Sequence, residues 1–567
     1  MFGPRDRNPS GGNTAVRLIL LVGGVLAILA ALPTRADGPE HGSDWRMIGH
    51  DVNNTRSQPL ESRISPRNVS RLLPKWVVTT AGDVSATPAV IEENDDHDDG
   101  DDHHGGDDHQ GRGRDKKRHG DHDRAVFFPD WGGKLWKVDG ETGKVLWSRS
   151  ISEYNGILNS ISRTSPAFAH GMIFVGDLNG NMMAVDAATG DLVWMTELDP
   201  NPNAIVTTSP VVLGNRLYIA TSSSGGGVAR QIFRGSMIAL DIRTGHIVWQ
   251  TFVLPDNGGV PGGFAGGAFV NPPAIDVENG LIYGAAGQLY FQPAAVTACL
   301  AADNDHNGDG WDEACFAAGA YFNSVIAFDL RTGAPRWSFR GAGPDARLLG
   351  CGQTPPAWCP PWQNFSIWDF AGSGTNVFRA HIRGRWRDVV GIGQKSGVYW
   401  TLDARSGKLL WARLVGHGDD PGGIQWGTAV DGKRIYAAIG HNNNPVPYEL
   451  PTGETISSGS WAALSPSTGE ILWQTPDPLG LSDPRKAPDL GALTIANGVL
   501  YAGSMAHDGT QMYALNAANG SILWRFGDVG SVVAGAAVVD GTVYWGSGYA
   551  RTGGVGNDKF YAFSVEK

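Results

Sequence analysis

"DGETGKVLW", Asp139 to Trp147, reads as the end of one short strand, a tight T-G turn, and a second short strand that carries a tryptophan. The segment recurs as "DAATGDLVW" ending at Trp194, "DIRTGHIVW" at Trp249, "DLRTGAPRW" at Trp337, "DARSGKLLW" at Trp411, "SPSTGEILW" at Trp473 and "NAANGSILW" at Trp524. Spacings of roughly 50 to 90 residues between copies mark a repeat with loop insertions. Each copy follows an alternating apolar run such as "SMIALD", and most have two more short strands upstream, as in "TSPVVLGNRLYIAT". Four antiparallel strands per unit make a propeller blade. An eighth unit is divided between the chain ends: "KFYAFSVEK" has the third strand without a tryptophan strand, and "LPKWVV" has Trp76 without its partner. Pairing the two closes the ring and leaves no free sheet edge. The predicted fold is therefore all-β, an eight-bladed β-propeller over residues 42–567, with each tryptophan docked on a neighbouring blade's turn.

Bulk composition fits this reading. The chain has 567 residues, 41% hydrophobic and 18% charged, with 79 glycines for turns and 20 tryptophans. The net charge is −12, but residues 92–124 hold thirteen Asp/Glu against six Lys/Arg and so supply seven of those negative charges. No basic field exists for nucleic acid. Arg5, Arg7 and Arg17 precede the uncharged run Leu18–Leu32, and "PTRAD" offers small residues at Thr34 and Ala36. An apolar core this short predicts a cleaved secretory signal over 1–36, an exported body in the periplasm or outside the cell, and no stable membrane insertion after cleavage. In that compartment the two close cysteine pairs, Cys299 with Cys315 and Cys351 with Cys359, are expected to form disulfides. No C-x-x-C-H motif occurs, so covalent haem is not expected.

Two inserts interrupt the blades. Residues 92–124 are acidic and carry six histidines, with no apolar side chain able to pack; a solvated, disordered loop is the expectation, and metal scavenging by the histidines the alternative. Between Cys299 and Cys315, Asp305, Asn307, Asp309 and Glu313 place oxygen-bearing side chains at alternating positions, with Gly310 where an oxygen-lined loop must turn. That pattern suits a structural calcium ion.

The blade motif resembles that of the quinoprotein alcohol dehydrogenases, eight-bladed propellers that use pyrroloquinoline quinone (PQQ). "FRGSMIALDIRTGHIVWQT", "IWDFAGSGTNVF", "GQKSGVYWTLD", "GGIQWGTAVDG", "GSWAALSPSTGEILWQT" and "GTVYWGSGY", in that order, are similar to the polyvinyl alcohol dehydrogenase branch over about residues 42–567. The resemblance implies that Asp369 binds the cofactor's calcium and takes the alcohol proton, and that Lys395 reaches the quinone carbonyl oxygens, where a fixed positive charge stabilises negative charge developed on reduction. It places Gln288 where the family has a calcium-binding Asn, and Thr207, Ser222, Gln425 and Trp426 in cofactor-contacting stretches. It further implies a secondary or polymeric alcohol as substrate and a soluble cytochrome c as electron acceptor.

The chain departs from the family at three places: no carboxylate stands near Gly225, no Trp stands at Phe269 or Val270, and no vicinal cysteine pair occurs. Assembly propellers of the outer membrane share the blade motif, so a non-catalytic binding scaffold is the rival function. Asp369 and Lys395 opening on one axial funnel would favour the enzyme.

Overall fold

The T-G turns that follow an aspartate are built the same way. The aspartate that ends the third strand folds its carboxylate back over the turn: Asp139 Oδ1 accepts from the Thr142 amide at 2.7 Å and hydroxyl at 2.6 Å, and Asp329 repeats this with Thr332. The following glycine sits at positive φ, 72° at Gly143 and 68° at Gly407, where a side chain would be strained. It must also be bare because the previous blade's tryptophan lies on it: a Cβ on Gly143 would come within 2.7 Å of the Trp76 ring.

The computed structural model describes residues 43–93, 124–224, 227–302, 312–341, 369–370, 372–418, 422–441, 447–480 and 488–565. Within them, strands form eight antiparallel blades. Blades 1 to 7 occupy residues 89–150, 167–197, 211–252, 274–340, 376–414, 429–476 and 494–527, each running from the innermost strand to the outermost. Blade 8 takes three strands from residues 537–565 and its outer strand, Leu72–Thr79, from the N-terminal side. Leu72–Thr79 pairs antiparallel with Lys559–Val565, with Trp76 opposite Ala562, as the split repeat predicts.

The tryptophans chain the blades together. Trp76 Nε1 donates to Gly140 O at 3.0 Å in blade 1, Trp147 to Ala187 O at 3.1 Å in blade 2, and Trp524 to Leu72 O at 2.9 Å in blade 8. A register shift accompanies each tryptophan strand, as between Lys137 and Val138 in blade 1 and between Pro74 and Trp76 in blade 8. Such a bulge turns the ring inward and its predecessor outward, which is why Leu146 and Val193 are exposed. The core consists of layers between adjacent blades; Trp76, Val78 and Phe560 of blade 8 pack against Val126, Phe128 and Trp136 of blade 1.

Residues 45–58 lace the inner ends of the blades together. They pair with the second residue of an innermost strand in seven blades: Val90, Phe168, Ile275, Val377, Val430 and Ile495 donate to Trp45, Arg46, Val52, Asn53, Thr55 and Arg56 carbonyls, and the Gln58 amide reaches Val538 O. This segment follows the ring of innermost strands in order from blade 1 to blade 8.

Strand pairing in blade 1 extends to Glu92 opposite Arg124, so these two residues belong to the blade. Residues 94–123 of the acidic insert lie outside the described residues, as do Asp305, Asn307, Asp309, Gly225 and the Cys351/Cys359 pair. Cys299 and Cys315 form the expected disulfide. Glu313, expected in the calcium loop, forms an ion pair with Arg340 at 2.6 Å. Among the described residues no helix is long and apolar enough to cross a membrane.

Candidate active site

Blade 5 brings the two principal candidates together. Its second strand, Arg385–Gly393, and third strand, Val398–Asp403, are joined by Gln394-Lys395-Ser396-Gly397. Gln394 locks this turn: its side chain is buried, and its Oε1 accepts from Trp400 Nε1 at 3.0 Å and Ser396 Oγ at 2.6 Å. Gly397, at φ 82°, donates back to Gln394 O at 2.9 Å. Lys395 is thereby aimed at the segment leading into the innermost strand, where Lys395 Nζ lies 2.7 Å from Asp369 Oδ2 and the Lys395 amide donates to Asp369 O at 3.2 Å.

Blade 6 closes over this pair. Gly372 permits close packing, since a Cβ there would lie 3.0 Å from Gln425 Cγ and 3.2 Å from Lys395 Cγ. Its carbonyl accepts from the Trp426 amide at 2.7 Å. Asp369, Lys395, Gln425 and Trp426 thus form one group. Gln288 lies two residues from Tyr290, whose hydroxyl is pushed up to about 12 by burial, opposed by Arg230 and reinforced by the Asp369 carboxylate. Gln288 Oε1 is buried without a hydrogen-bond partner. Ser222 is buried in a short strand paired with Ala204–Ile205.

A cavity lined in part by Ile48 and Arg56 of the lacing segment lies among the inner ends of the blades. Its wall follows the eightfold repeat: the residues four and two before an innermost strand are Ser85 and Thr87 in blade 1, Arg163 and Ser165 in blade 2, and Thr207 and Ser209 in blade 3. These hydroxyls are linked, Ser165 Oγ accepting from the Thr87 amide and Ser209 Oγ from the Ser165 amide, both at 2.9 Å. Trp426, at φ 52°, and Tyr549 form another part of the wall with rings 5.2 Å apart. Val270 lines the wall where the family has an aromatic floor, and Phe269 is buried behind it. Two guanidinium groups, Arg56 and Arg163, line the cavity, and among the described residues no carboxylate does.

Of these lining residues, the resemblance had singled out Thr207 and Trp426 but not Arg56 or Arg163. Arg163 could have been found by aligning the blades in register, because it occupies the position of Ser85 and Thr207. Arg56 had no repeat to mark it. A wall with two cations, several hydroxyls and no acid suits a flat ligand bearing several carboxylates, which is the chemistry of PQQ. The orphaned Gln288 oxygen and the Asp369 carboxylate are hard donors of the kind calcium takes.

A ring of Trp-docked blades around such a cavity defines a class of protein, and the chain belongs to it: the PQQ_2 family profile, described as outer membrane protein assembly factor BamB, matches residues 101–338 and 394–551. Among characterised proteins it is similar to the polyvinylalcohol dehydrogenase of a Pseudomonas species, at 25% identity over 89% of this chain and 73% of that one. It is also similar to that of Sphingopyxis sp. (strain 113P3), at 27% identity over 75% of this chain and 65% of the other. Among solved structures, quinohemoprotein alcohol dehydrogenase ADHIIG of Pseudomonas putida HK5 shares the fold with a TM-score of 0.63 at 17% identity, covering 93% of this chain and 81% of that one. The quinohemoprotein alcohol dehydrogenase of Comamonas testosteroni gives 0.62 at 19%, covering 92% and 80%.

Proposed function

We propose that this protein is an exported PQQ-dependent alcohol dehydrogenase of the polyvinyl alcohol dehydrogenase type. It oxidises a secondary or polymeric alcohol to a ketone and passes the electrons to an external cytochrome c in the periplasm or outside the cell. The observation that carries this reading is the contact of Lys395 Nζ with Asp369 Oδ2 at 2.7 Å, in a group packed against Trp426 of the cavity wall. A base and a fixed cation held this closely can act on neighbouring atoms of one substrate–cofactor pair.

When bound, PQQ supplies the two-electron acceptor for the carbinol carbon. Arg163 and the Thr207 and Ser165 hydroxyls would hold its carboxylates, and Lys395 would face its carbonyl oxygens. Asp369 and Gln288 would hold the calcium. Asp369 accepts the hydroxyl proton as the carbon–hydrogen bond breaks. Its carboxylate is buried, with a side chain 5% exposed, so bulk water does not compete for that role.

Reconstitution of the purified protein with PQQ and Ca²⁺ tests the reading. Reduction of an electron-accepting dye by a secondary alcohol or polyvinyl alcohol, lost in Asp369→Asn, is the expected result. Absence of both bound-quinone absorbance and dye reduction would instead make the propeller a binding scaffold.

A further inference from the structure

"RAHIRGRWR", Arg379 to Arg387, holds four arginines and no carboxylate in a chain whose net charge is −12. It forms the hairpin between the first two strands of blade 5, and this hairpin outruns its counterparts. In blades 3 and 4 the residues opposite the end of the third strand, Arg216 opposite Asp241 and Leu281 opposite Asp329, are the first of their second strands. In blade 5 the residue opposite Asp403 is Val389, and Arg385–Asp388 precede it, paired with Arg379–Ile382. Those four pairs project as a two-stranded ribbon, about 13 Å long at the usual rise per residue. One side of the ribbon is covered, since Ala380 and Ile382 are buried in one core with Val430 and Ile435 of blade 6. On the other side Trp386 is 64% exposed, with the His381 ring edge-on at 5.6 Å and the Arg379 guanidinium over it at 5.8 Å.

Asp388 and Asp403 offset part of the charge, through Arg379 at 3.4 Å, Arg405 at 3.8 Å and Arg387 at 3.2 Å. Arg383 and Arg385 are exposed and form no ion pair among the described residues. The complementary charge stands in the same sequence. Residues 94–110 hold eight Asp and no Lys or Arg, and belong to the connection between the first two strands of blade 1, which leaves at Glu92 and returns at Arg124. Connections of this kind all emerge on one face of a propeller, so the acidic segment and the basic ribbon start from the same face, and in a ring of eight, blades 1 and 5 stand opposite each other. A face charged in this way is complementary to itself. Two copies stacked on it, about a two-fold axis at right angles to the line from blade 1 to blade 5, bring each acidic segment against the other copy's ribbon, twice over. We propose that this face is the interface of a homodimer, in which the blade 5 ribbon docks on the acidic segment of a second copy and Trp386 is covered at the contact. Trp and Arg are the residue types that dominate the energetics of such contacts. The ribbon lies at the opposite end of its strand from Lys395, so the dimer leaves the candidate active site open.

Sedimentation velocity of the chain without residues 1–36 tests the proposal, at about 20 mM and about 500 mM NaCl, between which screening of exposed charges rises severalfold. We expect a dimer at low salt whose Kd rises at least about tenfold at high salt. Arg383→Glu with Arg385→Glu should leave Tm unchanged, because both side chains are exposed, and make the protein monomeric; Trp386→Ala should weaken the dimer. Asp95→Lys, Asp96→Lys, Asp98→Lys, Asp99→Lys, Asp101→Lys and Asp102→Lys, combined, should give a monomer from the other side of the contact. Each charge-reversed protein repels its own kind but complements the other, so mixing the two should restore a one-to-one dimer, a result that damage to the fold does not produce. Wild type that stays monomeric at low salt overturns the proposal, as does a dimer that the ribbon substitutions leave intact, or a mixture that stays monomeric. Monomeric wild type that instead sediments with phosphatidylglycerol vesicles through Arg383 and Arg385 would make the ribbon a lipid contact and not a dimer contact.

Discussion

Lys395 holds Asp369 twice, through its ammonium at 2.7 Å from Oδ2 and through its main-chain amide at 3.2 Å from the carbonyl oxygen. The contact joins the entry of blade 5 to the turn between that blade's second and third strands, residues 26 apart in sequence. The pair is nearly dry, with side chains 17% and 5% exposed.

Lys395→Met keeps the side chain's length and removes its charge, so PQQ binding should weaken by at least a factor of about ten and reduction should slow. Asp369→Asn should keep much of the binding but lower turnover by about 10² to 10⁴, the usual contribution of a positioned base. Dissociation constants and single-turnover rates separate the two effects. Equal losses in both quantities for both variants would mean that the residues act only as a structural pair.

Ring closure rests on Trp76, which is 8% exposed, packs against Tyr544 and Phe560, and docks on the turn of blade 1. Trp76→Ala should cost about 3–5 kcal/mol, the usual range for a buried aromatic. Deleting residues 558–567 removes the whole partner strand and should lower Tm further. An unchanged melt after the deletion would show that blade 8 does not carry closure.

The Cys299–Cys315 bridge closes a segment with a sequence separation of 16. Its removal by paired Ser substitution should destabilise the protein by about 3 kcal/mol on the chain-entropy account. Peptide mapping without reductant should recover the bridged peptide, and denaturant melts should give the stability change. A free thiol at either position would contradict the pairing.

Asp489 provides a pH test. It is fully buried beside Asp477, and burial first, then the Asp477 charge, hold its carboxyl well above the ordinary range. The folded state therefore keeps a proton that the unfolded state has released, and stability falls as pH rises through and above the unfolded carboxyl range of about 4. Asp489→Asn removes this penalty: Tm should exceed wild type at pH 7, with the gap narrowing towards pH 4. A gap that is constant with pH would show that titration of this carboxyl is not the cause.

The propeller was legible because its determinants are local and repeated. A polar residue that caps its own turn, aspartate in five copies and Ser465 and Asn516 in the other two, a glycine at positive φ and a tryptophan four residues later specify a hairpin wherever they occur, and seven copies plus two half-units count the ring. Asp369, Lys395 and Thr207 were singled out only through the resemblance to the quinoprotein family, since the repeat itself marks none of them. The lacing segment is different. Residues 45–58 have no periodicity, and nothing in "HDVNNTRSQP" says that Arg56 will line the cavity. Its place is set by one hydrogen bond to each of several blades whose innermost strands are hundreds of residues apart in sequence. Local patterns fixed which strands pair and which turns carry side chains; only closure of the ring, by bringing eight strand entries around one axis, decided which cations and hydroxyls share a cavity and buried the Arg56 guanidinium there against Trp426 O.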